Sequence, residues 1–251
     1  MNPIPLAAVI MAAGQGKRMK NPDRAKVMHT LAGIPLVEHV VRLTRAMDSE
    51  RVIVVVGHQR ESVIAYLSDL DPAIEFAVQA QQLGTGHAVR MTEALLDSFD
   101  GNVMILSGDA PLTRPETMKA ALEKHHASGA TVTVLTAVLP DPTGYGRVIR
   151  DENGSIVRIV EHKDADDEER SIREINSGIY IFEKKALFEA LARVTNNNAQ
   201  GEYYLPDVFE IFQREGRVMV PHIVDRFDEI RGVNTIEQLA ELESIYEADR
   251  S

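Results

Sequence analysis

The sequence predicts an α/β fold built on a mainly parallel sheet, and three observations carry that prediction. Apolar runs rich in β-branched residues recur through the first half: "PLAAVIMAA", "RVIVVVG", "IEFAV", "NVMILSG" and "TVTVLTAV". Segments of helical periodicity lie between them: "PLVEHVVRLTRAM", "RESVIAYLSDL", "GHAVRMTEALL" and "PETMKAALEKHHA". Buried strands alternating with amphipathic helices are the mark of βα units. Third, 251 residues at 44% hydrophobic suffice for a substantial core. No internal repeat or linker interrupts the chain, and one unit is expected.

Local signals place the elements. Pro35 suits the first turn of the first helix. Thr113 with Glu116 reads as a capping box, and Gly129 as the stop of the same helix. After about residue 140 the rhythm changes. "YGRVIRDENGSIVRIVEH" puts Asn153-Gly154 between two alternating strands, a strong hairpin signal. "DADDEE" from Asp164 reads as a solvated loop. There follow a strand at "EINSGIYIF", a helix at "EKKALFEALARV", the polar loop "TNNNAQGE" and a helix near "LPDVFEIFQREG". A further strand and a final helix from about Thr235 complete the chain. The second half is expected to elaborate the same sheet as a wall over one edge.

Composition excludes several classes. The 38 acidic against 27 basic residues, net charge -11, argue against a broad nucleic-acid surface. The absence of cysteine excludes disulfides, thiolate zinc sites and cysteine nucleophiles. No apolar run approaches the roughly 18 residues needed to cross a bilayer, and the start lacks the basic-then-apolar-then-small pattern of a signal peptide. A cytoplasmic protein without nucleic-acid or membrane partners is expected. His125-His126 has no partner at ligand spacing, and the other histidines are scattered, so no zinc site is expected.

In an open parallel sheet ligands bind beyond the carboxyl ends of the strands. The first strand runs into "VIMAAGQGKRMKNPDRAK", where two glycines and five basic residues stand against one acid. This is not a dinucleotide fingerprint, because Met19 stands where a third glycine is needed. Nor is it a Walker A loop, because no hydroxyl follows the lysine. It does suit a bend at Gly14 and Gly16 that brings backbone N–H groups to an anion, with Lys17 or Arg18 and Lys26 adding charge. A basic surface turn is the alternative. The third strand delivers "QAQQLGTGHA" from Gln79 and the fourth "SGDAP" with Asp109. Asp109 is either a turn-former or a magnesium ligand. A phosphate loop on the same edge favours the metal.

"AAGQGKRM" followed by Lys26, "QAQQLGTGHA", "SGDAPL", "DPTGYGRV", "VEHKDA", "EINSGIY", "TNNNAQGEYY" and "GVN" at 232–234 occur in one order over nearly the whole chain. In this the sequence resembles the uridylyltransferase domain of bacterial N-acetylglucosamine-1-phosphate uridylyltransferases. The resemblance implies a Rossmann-like, mainly parallel sheet of the nucleotide-diphospho-sugar transferase type, with an added hairpin and a sugar-binding wall. Residues of about 1–140 would form the nucleotide-binding half, about 141–234 the sugar-binding half, and 235–251 a C-terminal helix. The implied reaction joins UTP and N-acetylglucosamine 1-phosphate to give UDP-N-acetylglucosamine and pyrophosphate, with Mg2+. The sugar phosphate's own oxygen is then the nucleophile, and the protein supplies alignment and charge.

The resemblance assigns the residues. Ala12, Ala13, Gly14 and Gly16 with Gln79, Gly84 and Thr85 would hold the nucleotide. Arg18 and Lys26 would meet the phosphates, and Asp109 and Asn234 the metal; Asn234 could instead cap the last helix, with Glu237 completing a box. Gly108, Gly146, Glu161, Asn176, Glu202 and Tyr204 would face the sugar. Several of these also have an ordinary reading: Gly146 a turn, Glu161 a surface hairpin, Asn176 a bulge, Tyr204 core packing. Three positions depart from the family: Lys17 for threonine, Ala25 for proline and Ser107 for tyrosine. No hexapeptide repeat of an acetyltransferase β-helix appears before Ser251, so no acetyltransferase activity and a monomer are expected. The rival readings are transfer to another hexose 1-phosphate or from dTTP, and a non-catalytic sugar-nucleotide sensor.

Overall fold

The apolar run that opens the chain becomes β1 (Leu6–Ala12), buried at every residue but Met11. The computed structural model describes residues 4–19 and 24–249. A two-stranded ribbon follows, β2 (Thr30–Leu31) with β3 (Ile34–Pro35), then α1 (Leu36–Ala46), β4 (Arg51–Val56), α2 (Arg60–Leu70), β5 (Glu75–Val78) and the short α3 (Thr85–Arg90). The first half closes with β6 (Asn102–Ser107), α4 (Pro115–Ser128) and β7 (Val132–Val138). The second half holds the hairpin β8 (Arg147–Arg150) and β9 (Ile156–Val160), then α5 (Asp167–Ser171), β10 (Glu174–Glu183), α6 (Lys184–Leu191), α7 (Val208–Arg214), β11 (Met219–Ile223) and α8 (Ile236–Ala248).

The main sheet has the order β11-β7-β10-β6-β1-β4-β5, with β8 on β10 and β9 on β8. β1 is parallel to both β4 and β6, and β4 to β5, so the carboxyl ends of β1, β5 and β6 share one edge. β10 inserts antiparallel between β6 and β7. The second half therefore does more than wall an edge, because its longest strand completes the middle of the sheet.

Alternate residues of β1 feed two cores. Leu6, Ala8, Ile10 and Ala12 pack with Val37, Val40 and Val41 of α1, Leu67 of α2 and Met118 of α4. Ala7 and Val9 pack on the other face with Val89 of α3, Leu187 of α6 and Phe209 and Phe212 of α7. Strands covered on both faces read as continuous apolar runs, which is why the strands of the first half stand out in the sequence. A third cluster, Met19, Leu31, Leu36, Val233 and Leu242, ties the opening loop and ribbon to α8. Each such side chain contributes about 1.5–3 kcal/mol on full burial.

Several local expectations hold. Gly129 ends α4 in the left-handed region at φ 60°, and Gly154 turns the hairpin at φ 80°. Others are corrected. Pro35 precedes α1 as its N-cap residue with ψ 142° and pairs with Thr30, because the Leu36 amide is committed to the His29 carbonyl. Thr113 forms no capping box, since its hydroxyl donates to the Glu229 carbonyl at 2.8 Å and α4 starts at Pro115 behind Arg114. The acidic stretch is not all loop: Asp166 and Glu169 form a reciprocal capping box that starts α5.

Candidate active site

The loop after β1 folds against Lys26. Gly16 has φ 60°, and a Cβ there would lie 2.7 Å from Lys26 Cβ, so the lysine stem crosses bare backbone. Gly14 needs no such room: a Cβ on it meets nothing within 4 Å, and its backbone is exposed. Of the two glycines expected to make the bend, only Gly16 adopts a positive φ. Ala25 holds φ -56°, within the range that proline imposes, so the departure from proline leaves this backbone angle proline-like. The side chain of Lys17 lies outside the described residues.

Lys26 Nζ is the centre of the cluster. It forms an ion pair with Asp109 Oδ2 and donates to Asn234 Oδ1 at 2.9 Å. Arg18 donates to the same Asn234 oxygen, also at 2.9 Å. Ser107 Oγ donates to the other Asp109 oxygen at 2.5 Å, and the Val233 amide donates to the Asp109 backbone carbonyl. Gly232 lies against the carboxylate, where a Cβ would come within 3.2 Å of it. A carboxylate and an amide oxygen thus converge on one cation. A carboxylate and an amide oxygen are hard donors of the kind Mg2+ takes, one or two at a time, with water and phosphate completing its shell.

The same lysine and aspartate line a cavity of about 260 Å³ together with Ala12, Ala13, Gly14, Gln79, Gly84, Thr85 and Glu202. Asp109 and the Gly14 turn therefore face one space. Gly84 is indispensable to its wall: at φ 105°, a Cβ would strike the Tyr203 carbonyl at 2.5 Å. The wall is stitched by Tyr203 N to Leu83 O, Gly86 N to Tyr203 O, and Leu205 N to Thr85 Oγ1. Glu202 reaches the cavity because of this crossing of the 83–86 and 202–205 segments.

The other expected sugar residues are distributed differently. Glu161 and Tyr204 line a second cavity of about 590 Å³ with Asp164, Asn198 and Asp207. Tyr204 is buried and its hydroxyl is shared with Gln200 and Asp164, while burial pushes the phenol up to about 12. Burial, then Asp164 and Glu202, raise the Glu161 carboxyl above the ordinary range. Asn176 sits at the irregularity of β10: its amide donates to Gly146 O, its side chain accepts from Gly178 N, and the register shifts between it and Tyr180. Gly146 is buried beside it, and neither lines the two cavities. Gly108 is also buried, its amide committed to Met11 O.

The last helix settles one alternative. Thr235, not Asn234, accepts from Gln238 N as the side-chain cap, and Asn234's side chain is left for the cations. Sequence reasoning missed Gln82, which lines the cavity, and Gly57, where a Cβ would strike Gln82 Nε2 at 2.7 Å. Gly57 directly follows β4, whose end lies between those of β1 and β5, and a strand-end position was the one signal that could have found it. Tyr145 packs edge-on against Phe227, and burial raises its phenol.

The nucleotidyl transferase family model matches residues 7–228. The chain belongs to the nucleotidyl transferase family. It is 48% identical over 236 residues to the bifunctional protein GlmU of Lactococcus lactis, covering 94% of this chain and 51% of that protein. GlmU of Bacillus licheniformis is matched to the same extent. The chain thus spans about half the length of the curated relatives it matches. Two solved structures share the fold at 18% identity. One is a UDP-glucose pyrophosphorylase with UDP-glucose (TM-score 0.78; 98% of this chain, 100% of that chain). The other is a putative glucose-1-phosphate thymidylyltransferase of Bacillus anthracis (TM-score 0.77; 96% and 94%). The Rossmann-like α/β nucleotidyltransferase fold is thereby established. Among the described residues no helix is long and apolar enough to cross a membrane.

Proposed function

We propose that this nucleotidyltransferase moves a uridylyl group from UTP to N-acetylglucosamine 1-phosphate and releases pyrophosphate. The observation that carries the reading is the convergence of Arg18, Lys26, Asp109 and Asn234 at the rim of a cavity walled by Gly14, Gln79, Gly84 and Thr85. The cavity takes the nucleoside against bare backbone and amide groups. Lys26 and Arg18 then face the triphosphate and offset the repulsion between two polyanions. Ser107 anchors Asp109 at one carboxylate oxygen and the Val233 amide anchors it at its backbone carbonyl.

Asp109 and Asn234 would hold Mg2+, which when bound neutralises phosphate charge during the displacement. The sugar phosphate oxygen attacks the α-phosphorus in line, and no side-chain nucleophile is required. Glu202 at the cavity rim and Glu161 beyond it offer acceptors to sugar hydroxyls. The test is pyrophosphate release from UTP with N-acetylglucosamine 1-phosphate, against glucose 1-phosphate and against dTTP. Turnover should be highest with the first pair. Faster turnover with glucose 1-phosphate or dTTP reassigns the substrate, and no turnover with any pair supports a sensor.

A further inference from the structure

Gln79 follows β5 and is almost fully buried, 3% exposed, yet it lines the cavity. Its side-chain nitrogen lies 3.0 Å from the Gly84 carbonyl oxygen and 3.0 Å from His87 Nδ1. A carbonyl oxygen can only accept, so the amide atom facing Gly84 must be the nitrogen, and the ambiguity of amide orientation is removed. His87 Nδ1, at hydrogen-bond distance from that same nitrogen, must then accept. The imidazole is therefore neutral with its proton on Nε2. Both hydrogens of the Gln79 amide are committed, and the group it retains for a ligand is the acceptor Oε1.

This has a consequence for the base. An acceptor pairs with the N3–H of uracil or thymine, whereas cytosine carries a lone pair at N3 and would leave two acceptors facing each other. A site built around one hydrogen-bond polarity rejects the opposite polarity far more strongly than it rejects a change of size. We infer that His87 is a positioning residue that locks the Gln79 amide with its acceptor toward the ligand, and so makes the site selective for keto-pyrimidine nucleotides over cytidine nucleotides. The inference rests on the pyrimidine-nucleotide reading of the cavity.

The surroundings suit the role. His87 is half-buried on α3, with the Tyr203 ring of the facing segment 6.4 Å away at 34°. Arg90 of the same helix lies 5.9 Å over that ring. Burial, then the Arg90 charge, lower the imidazole pKa, in the direction that favours the neutral ring these hydrogen bonds require.

The test compares kcat/KM for UTP and CTP, and Kd for UMP and CMP without sugar, in the full chain, in His87→Asn and in His87→Leu. The asparagine side-chain oxygen replaces Nδ1 as acceptor, while leucine removes it. The full chain should prefer uridine nucleotides about 100-fold or more. His87→Asn should keep that ratio within about 3-fold, and His87→Leu should lower it about 10-fold or more through the CTP arm. An unchanged ratio in a folded His87→Leu overturns the inference. Should that variant not fold, 15N chemical shifts of His87 in the full chain decide: a proton on Nε2 supports the inference and a proton on Nδ1 overturns it. Failure of the full chain to bind UMP or turn over UTP would instead remove the uridylyl reading beneath it.

Discussion

Asp109 is gripped at both carboxylate oxygens, by Lys26 on one and Ser107 on the other, and at its backbone carbonyl by Val233. Removing charge from such a residue alters chemistry more than shape. Asp109→Asn and Lys26→Ala should each cut kcat by about 10²–10³ or more while leaving the circular dichroism spectrum unchanged; an unimpaired rate in either variant removes that residue from the mechanism. Glu161→Ala should raise the KM for the sugar phosphate about 10-fold with a smaller effect on the KM for UTP, and equal effects on both would deny it a sugar role. At this scale the meeting of Gly14, Gln79, Gly84 and Asp109 at one cavity was legible, because each lies just beyond a strand end on one edge, whereas Gly108 and Gly146 lie buried outside it. Tyr204 opening onto a different cavity from Glu202 was not legible, since its placement depends on how the 202–205 segment crosses the 83–86 segment.

Elements decide where those residues meet. Asn234 reaches Lys26 and Arg18, far earlier in the chain, because α8 is clamped to the opening ribbon through Leu242, Leu31, Leu36, Val233 and Met19. Leu242→Ala should therefore cost about 3 kcal/mol in denaturant unfolding and also lower kcat. A stability loss with kcat untouched would mean that α8 does not position Asn234. Gly84→Ala meets a carbonyl and a positive φ together, and should cost about 1–3 kcal/mol and raise the KM for UTP. An unchanged KM would separate this turn from nucleotide binding. The parallel core, the Asn153-Gly154 hairpin and the Gly129 stop were readable from local pattern. The α4 start was not, because Glu229, remote in sequence, takes the Thr113 hydroxyl that would have capped it.

The whole molecule carries a net charge of -11 but gathers Arg18 and Lys26 at the rim of one cavity. Acid is left elsewhere, around the second cavity, where Asp207 is pushed up to about 7 by burial, then by Glu210, Glu161 and Asp164. A raised carboxyl pKa means that the folded chain holds a proton which the unfolded chain has already released. Stability should thus fall as pH rises from about 4 to about 7 and then level off. Asp207→Asn should unfold as the parent does at pH 4, and at about pH 8 melt about 2–4 °C higher, the effect of about 1 kcal/mol after solvent screening. Equal melting at both pH values would show that Asp207 ionises freely. The fold class was visible from the alternation of runs, whereas β10 in the middle of the sheet was not, since strand order is a long-range property.

The proposed reaction needs only alignment and charge, with the sugar phosphate's own oxygen attacking phosphorus directly. The most direct measurement is the stereochemistry at the α-phosphorus when a single diastereomer of UTP bearing sulfur at that position is converted with N-acetylglucosamine 1-phosphate and the product is resolved by 31P NMR. One in-line displacement predicts inversion. Retention would require a covalent enzyme intermediate and would exclude direct attack by the sugar phosphate.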